Sequence, residues 1–254
     1  MTITFLGTGT SQGVPVVACN CHVCSSSDKK DKRLRSSILI EYESLNLVID
    51  TGPDFRYQML RENVQHLDAV LFTHEHKDHI AGMDDIRAFN YKQQSSLPIY
   101  ATDRVIQALK REFHYVFSDQ TYPGIPQIHL HEITNSPFTV GGKLDITPIE
   151  VMHFKLPVLG YRFADFTYIT DAKTVPENEF EKIKGTEVLV VNALQRERHI
   201  SHFTLSEAIE FAEKVGAKHT YFTHIGHRLG TYAEVSRELP AGVQLAYDGL
   251  KIRL

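Results

Sequence analysis

The run His74-Glu75-His76-Lys77-Asp78-His79 follows the apolar stretch Ala69-Val70-Leu71-Phe72, so four possible metal ligands, three imidazoles and the Asp78 carboxylate, sit together at the end of a strand-like segment. Alternate side chains of an extended segment project to one side, which aligns His74 with His76, and a turn just afterwards folds Asp78 and His79 toward the same cavity. A single short loop cannot enclose two cations without leaving coordination positions open. The fold therefore has to bring further donors from far along the chain. His153, Asp171 and His224 are the candidates, because each follows a hydrophobic run (Ile146 to Val151, Phe166 to Ile169, Thr220 to Phe222) that a sheet would hold rigidly. His74, His76 and His153 are expected to bind one divalent ion and Asp78, His79 and His224 a second, with Asp171 bridging. This donor set suits zinc, manganese and also iron. Asp50, at the end of another strand, is expected to orient a metal-bound histidine through a hydrogen bond; a local turn role is the alternative.

With 254 residues the chain is long enough for one large domain or two fused halves. Its 42% hydrophobic and 23% charged residues are those of a soluble globular protein, and no window approaches the roughly 20 apolar residues of a membrane span. The start, Met-Thr-Ile-Thr-Phe-Leu-Gly, reads as a strand and not as a signal peptide, so a cytoplasmic location is expected. A formal charge of −4 provides no basic field for gripping extended nucleic acid. The only cysteines, Cys19, Cys21 and Cys24, are packed too closely and in too odd a number for a disulfide framework, and suit thiolate coordination.

Mixed strands and helices precede and follow an irregular middle from Phe113 to Pro137, whose clearest break is Tyr122-Pro123-Gly124-Ile125-Pro126. Before it, strands are expected at Ile3 to Leu6, Ser37 to Glu41, Leu45 to Ile49, Ala69 to Thr73 and Leu97 to Tyr100. Helices are expected after Asp54, with Asp54 as cap and Phe55, Met59 and Leu60 as the buried stripe, then from Gly82 to Ala88 and from Asp103 to Glu112. After it come strands from Phe138 to Val140, Leu144 to Val151, Leu159 to Phe163 and Phe166 to Thr170. A helix from Glu177 to Ile183, a strand from Glu187 to Val191, a helix from Leu205 to Val215, a strand from His219 to Phe222, a helix from Thr231 to Leu239 and short strands around Val243 to Leu245 and Leu250 to Arg253 complete the pattern. Two mixed half-units packed sheet to sheet, with helices on the outer faces, bury both faces of each sheet. Gly7-Thr8-Gly9-Thr10-Ser11-Gln12-Gly13 is not a nucleotide fingerprint, since it runs into Pro15 and the cysteines without opening a helix.

With this histidine run and its distal partners the chain resembles the metallo-beta-lactamase superfamily, over essentially its whole length. The resemblance implies an α/β fold, a four-layer αββα sandwich, as a single domain over residues 1–254 with a cysteine-containing metal loop at 14–35. His153, Asp171 and His224 match the distal ligands of the phosphodiesterase branches. The cysteine trio lacks a nearby fourth donor; His227, in His224-Ile225-Gly226-His227, is expected to supply it for one structural zinc, with His22 as the competing donor. That arrangement resembles the phosphoribosyl cyclic phosphate phosphodiesterases of phosphonate metabolism.

Two ions about 3.5–4 Å apart can share a hydroxide for attack on phosphorus and neutralise the phosphoryl oxygens. Proton donation to the departing oxygen is expected from His202, which resembles the general acid of those branches and of the transfer RNA 3′-processing endonucleases; His199 is the rival. Asp78 and Asp171 complete the catalytic set. Arg56, Arg162 and Tyr161, with Lys155, are the candidates for substrate contact. The expected substrate is a small cyclic or nucleotide phosphodiester, foremost a ribose cyclic phosphate, and a homodimer is implied by the resemblance. Transfer RNA 3′ processing is the first alternative, although no long basic arm is present for holding the RNA. Glyoxalase-type thioester hydrolysis, beta-lactam hydrolysis and a noncatalytic metal-binding module rank below it.

Overall fold

The computed structural model describes residues 1–118 and 124–254, so the Tyr122-Pro123 part of the expected break lies outside the described residues. In chain order the strands are β1 (Thr2–Gly7), β2 (Ser37–Tyr42), β3 (Leu45–Ile49), β4 (Ala69–Leu71), β5 (Leu97–Ala101), β6 (Ile128–Glu132), β7 (Phe138–Val140), β8 (Leu144–His153), β9 (Leu156–Phe163), β10 (Phe166–Tyr168), β11 (Val188–Asn192), β12 (His219–Thr223), β13 (Val243–Leu245) and β14 (Lys251–Arg253). They form two seven-stranded sheets, ordered β14-β1-β2-β3-β4-β5-β6 and β13-β12-β11-β10-β9-β8-β7. Each sheet begins antiparallel and turns parallel: β3 to β6 are mutually parallel in one, β10 to β13 in the other.

Strand alternation explains the layering. Ile38 and Ile40 face the other sheet while Leu39 faces outward, and Leu47 and Ile49 flank an outward Val48 in the same way. The inward set meets Ile146, Tyr161, Phe163, Phe166 and Val190 in a central core between the sheets. Outward residues are covered on one side by the helices α1 (Phe55–Arg61), α2 (Lys77–Ile80), α3 (Arg87–Gln93) and α4 (Asp103–Glu112). On the other side α5 (Glu177–Ile183), α6 (Leu205–Val215) and α7 (Tyr232–Ser236) do the same. The result is the expected four-layer αββα sandwich of the metallo-beta-lactamase fold. Among the described residues no helix is long and apolar enough to cross a membrane.

α6 falls where the sequence places it for a local reason. Thr204 accepts from the Glu207 backbone N–H and the Glu207 carboxylate accepts from that of Thr204, a reciprocal cap, and Gly216 ends the helix at φ 69°. Three expectations differ. Asp54 does not cap α1; its carboxylate accepts instead from the Arg35 backbone and guanidinium, and Leu60 is exposed rather than part of the buried stripe. The helix expected from Gly82 to Ala88 divides into a short 3-10 turn at Met83–Ile86 and α3, and α2 already begins inside the histidine run at Lys77. The irregular middle contains β6, at the edge of its sheet.

Candidate metal centre

Every distal donor of the centre leaves the end of a strand. His74 lies three residues past β4, Asp171 three past β10, His224 immediately after β12, and His153 is the last residue of β8. The rigid sheets converge at this end, and open α/β sheets commonly place ligands at the carboxyl ends of their strands. Asp50, Asp171 and His224 all adopt left-handed backbone, with φ of 63°, 57° and 53°, which turns the chain sharply off its strand. Gly52 lets the histidine loop approach beneath: a Cβ there would lie 2.2 Å from the carbonyl oxygen of Asp78.

The buried Asp50 carboxylate accepts from Thr73 N and Thr73 Oγ1, each at 2.8 Å, and from His79 Nδ1 at 2.7 Å. Holding the proton at Nδ1 leaves the His79 Nε2 lone pair facing Asp78 Oδ2 at 3.1 Å and Asp171 Oδ2 at 3.4 Å, and Nε2 is buried without a hydrogen-bond partner. A lone pair set against two carboxylates is repulsive unless a cation or a proton lies between them. His224 Nδ1 completes this group 3.2 Å from Asp171 Oδ2, and the donor atoms of Asp78, His79, Asp171 and His224 all lie within 4.8 Å of one another.

Asp171 also belongs to a second group, with His153 and His202. His153 Nδ1 donates to the Ser201 carbonyl at 2.9 Å, so its Nε2 is the unprotonated nitrogen. His74 and His76 complete this side, with His74 Nε2 3.0 Å from His76 Nδ1 and the His76 ring 5.1 Å from that of His153. All seven expected ligands are thus gathered in one place, and the donor set fits divalent cations. His202 lies closer than a bystander acid need be. Its ring stacks 4.8 Å from His224, and its Nδ1 is buried, without a hydrogen bond, 3.8 Å from Asp171 Oδ1. His199 stands at the rim beyond it, with Nδ1 against Ser201 Oγ.

Charge follows from this packing. Burial opposes ionisation of His79, yet Asp78, Asp171 and Asp50 together hold it well above its ordinary value. Burial likewise opposes the Asp171 carboxylate, but His224, His79, His202 and His74 hold its pKa well down. Burial lowers His74 and His224, and drives His202 down to about 2 against the pull of Asp171.

The cysteines form a separate cluster. Their three Sγ atoms lie 3.3, 3.5 and 3.5 Å from His227 Nδ1, for Cys19, Cys21 and Cys24 in turn, and no disulfide joins them. Zn–S bonds of about 2.3 Å and Zn–N of about 2.0 Å imply tetrahedral S–N edges of about 3.5 Å, so this donor set fits zinc. Backbone N–H groups of Cys24 and Val16 donate to Cys21 Sγ and Cys24 Sγ. The Cys24 N–H is the main cause that lowers the Cys21 thiol to about 6, while burial raises Cys24 to about 11. His22, the competing donor, turns away to Glu234 at 3.3 Å.

The expected substrate contacts need correction. Tyr161 is fully buried and donates to the Phe72 carbonyl; Arg162, at the far end of β9, donates to the carbonyls of Ala164, Lys182 and Lys184. Arg56 lines a different cleft, between α1 and α3. Only Lys155 of that set lines the cleft over the centre, a space of about 420 Å³ shared with His76, Arg104, His153, Phe154 and Ile200. Arg104 and Ile200 were not signalled by the sequence, since α4 and the 196–203 loop reach the cleft only through tertiary packing.

Residues 45–225 match the family model described as "Beta-lactamase superfamily domain". A protein of Porphyromonas gingivalis named octanoyltransferase is 39% identical over 254 residues, covering 99% of this chain but 51% of its own length. The chain therefore spans about half of that curated relative. Among solved structures, a diphosphatase of the PhnP family superposes with a TM-score of 0.93 at 41% identity, over 100% of this chain and 97% of that one. The short form of human tRNase Z shares the fold, with a TM-score of 0.75 at 17% identity over 100% and 99% of the two chains.

Proposed function

This chain belongs to the beta-lactamase superfamily, and we propose that within it the protein is a metal-dependent phosphodiesterase acting on a small diester, foremost a cyclic or nucleotide phosphate. The observation that carries this is Asp171, one carboxylate common to two facing donor groups. Two divalent ions held there would supply Lewis acidity for a phosphoryl group and lower the pKa of a water. Asp50 fixes the His79 proton at Nδ1, and the Ser201 carbonyl fixes that of His153, so both rings present their lone pairs inward. His202 is neutral in the ion-free pocket; an anionic phosphoryl group beside it would favour uptake of a proton from water, and the imidazolium so formed would donate that proton to the departing oxygen.

A cleft of about 420 Å³ falls within the about 300–1,000 Å³ of small-ligand pockets. The named activity of the 41% identical PhnP-family diphosphatase also supports phosphorus chemistry. Transfer RNA 3′ processing is the second reading, favoured by the likeness to tRNase Z. The octanoyltransferase name belongs to a P. gingivalis protein of which this chain spans 51%, so that activity is not carried over. A panel of cyclic ribose phosphates, a linear diester, a diphosphate and precursor transfer RNA tests the proposal. Turnover of small substrates is expected; efficient cleavage of the RNA with little of the small substrates would replace it with the second reading.

A further inference from the structure

The hairpin from β8 to β9 turns in two residues, Phe154 and Lys155, directly after the ligand His153. Phe154 has φ 58°, and two-residue hairpins give such positions to glycine, asparagine or aspartate. For a bulky aromatic this backbone is an outlier, and packing does not compensate, because the side chain is 51% exposed. Strain of this kind persists mainly at functional sites.

Ile200, 65% exposed, is its counterpart. The two line both clefts at the mouth of the centre, the one holding His76 and His153 and a neighbouring one walled by Lys173, Arg198 and His199. The Lys155 ammonium lies 5.4 Å from the Phe154 ring centroid. Lys173 is occupied by Glu207, whereas Lys155 and Arg198 have no carboxylate partner among the described residues. Two bare apolar surfaces thus stand between two unpaired cations, above ligand imidazoles.

We infer that Phe154 and Ile200 are specificity-determining residues that clasp the planar base of a nucleotide-type substrate, with its phosphates running past Lys155 to the metal centre. This rests on the phosphodiesterase proposal and adds the substrate class, base-bearing over base-free. A base presents a π face whatever its identity, so an aromatic platform holds it without selecting among bases.

The test uses Phe154→Gly, which suits the positive φ, and Ile200→Ala at an exposed position. Three quantities are read: the kcat/KM ratio of adenosine 2′,3′-cyclic phosphate to a base-free ribose cyclic phosphate, the calorimetric affinity of the metal-loaded protein for AMP, and the melting temperature. Both variants are expected to lower the ratio and the AMP affinity about tenfold, with no fall in melting temperature for Phe154→Gly. An unchanged ratio and AMP affinity overturn the clasp. So does equal loss on both substrates with a lowered melting temperature, which marks a structural role, or loss of self-association in Phe154→Gly, which marks a contact between copies. A wild-type protein inert on every diester, whose AMP affinity still depends on Phe154, overturns the phosphodiesterase proposal alone and sustains the clasp.

Discussion

His202 illustrates how one side chain can be given two roles by position. Its ring stacks on His224 and approaches Asp171, so it could serve as a ligand as well as a proton donor. The two roles separate on substitution. As a proton donor, His202→Ala should keep its full metal content and lose about 10²–10⁴-fold in kcat on a substrate with a basic leaving group. The loss should shrink when the leaving group is already acidic. Metal content measured beside the rates decides it; a variant that sheds an ion, or is slowed equally on both leaving groups, refutes the donor role. The convergence of the candidate donors was legible because the histidine run, His153, Asp171 and His224 each follow an apolar strand segment. Tyr161 and Arg162 misled because sequence nearness to His153 is not spatial nearness: β9 runs antiparallel to β8, pairing Leu156 with His153 and carrying Arg162 back to Thr147.

At the level of elements, the histidine loop is held by backbone contact as much as by its ligands. With 2.2 Å between a Cβ at position 52 and the Asp78 carbonyl, Gly52→Ala must displace α2. Overpacking of about 1–3 kcal/mol should lower the melting temperature by about 2–12 °C, and weaken metal binding at Asp78 and His79. Native values for both would show that the loop yields freely. The cysteine clip makes a second prediction: Cys21→Ala should retain one metal ion fewer per chain, and amides of residues 14–35 should exchange faster. A natively folded variant that loses no metal disproves the clip. Helices with a clear apolar periodicity were readable, α6 falling on the expected Leu205 to Val215 end to end. β6 was missed although Ile128-His129-Leu130-His131-Glu132 alternates, because at a sheet edge its apolar residues are only half-buried and the polar ones dominate the pattern.

Across the whole molecule, the centre ties together two sheets whose facing surfaces are largely apolar, with the Tyr161 hydroxyl donating to the Phe72 carbonyl between them. In ion-free protein the proton on His79 is part of that join. Its pKa is raised above 6.5 in the fold, so its stabilisation is fully present below that pH and is lost as pH rises through the folded value. Asp171, held down, acts on the opposite limb and loses its contribution only in acid. Chelated protein should therefore melt at lower temperature as pH rises from neutral. A divalent ion replaces the proton, so saturating zinc should flatten that decline and raise the melting temperature by about 10 °C. Melting curves against pH in chelator and in zinc check this; a chelated protein with no alkaline decline contradicts it. The left-handed corners at Asp50, Asp171 and His224 reach beyond this chain. Anyone transplanting the donor set onto another scaffold would have to copy those three bends together with the side chains, since a strand that simply ran on would aim Asp171 and His224 at empty space and leave His79 without the carboxylate that orients it.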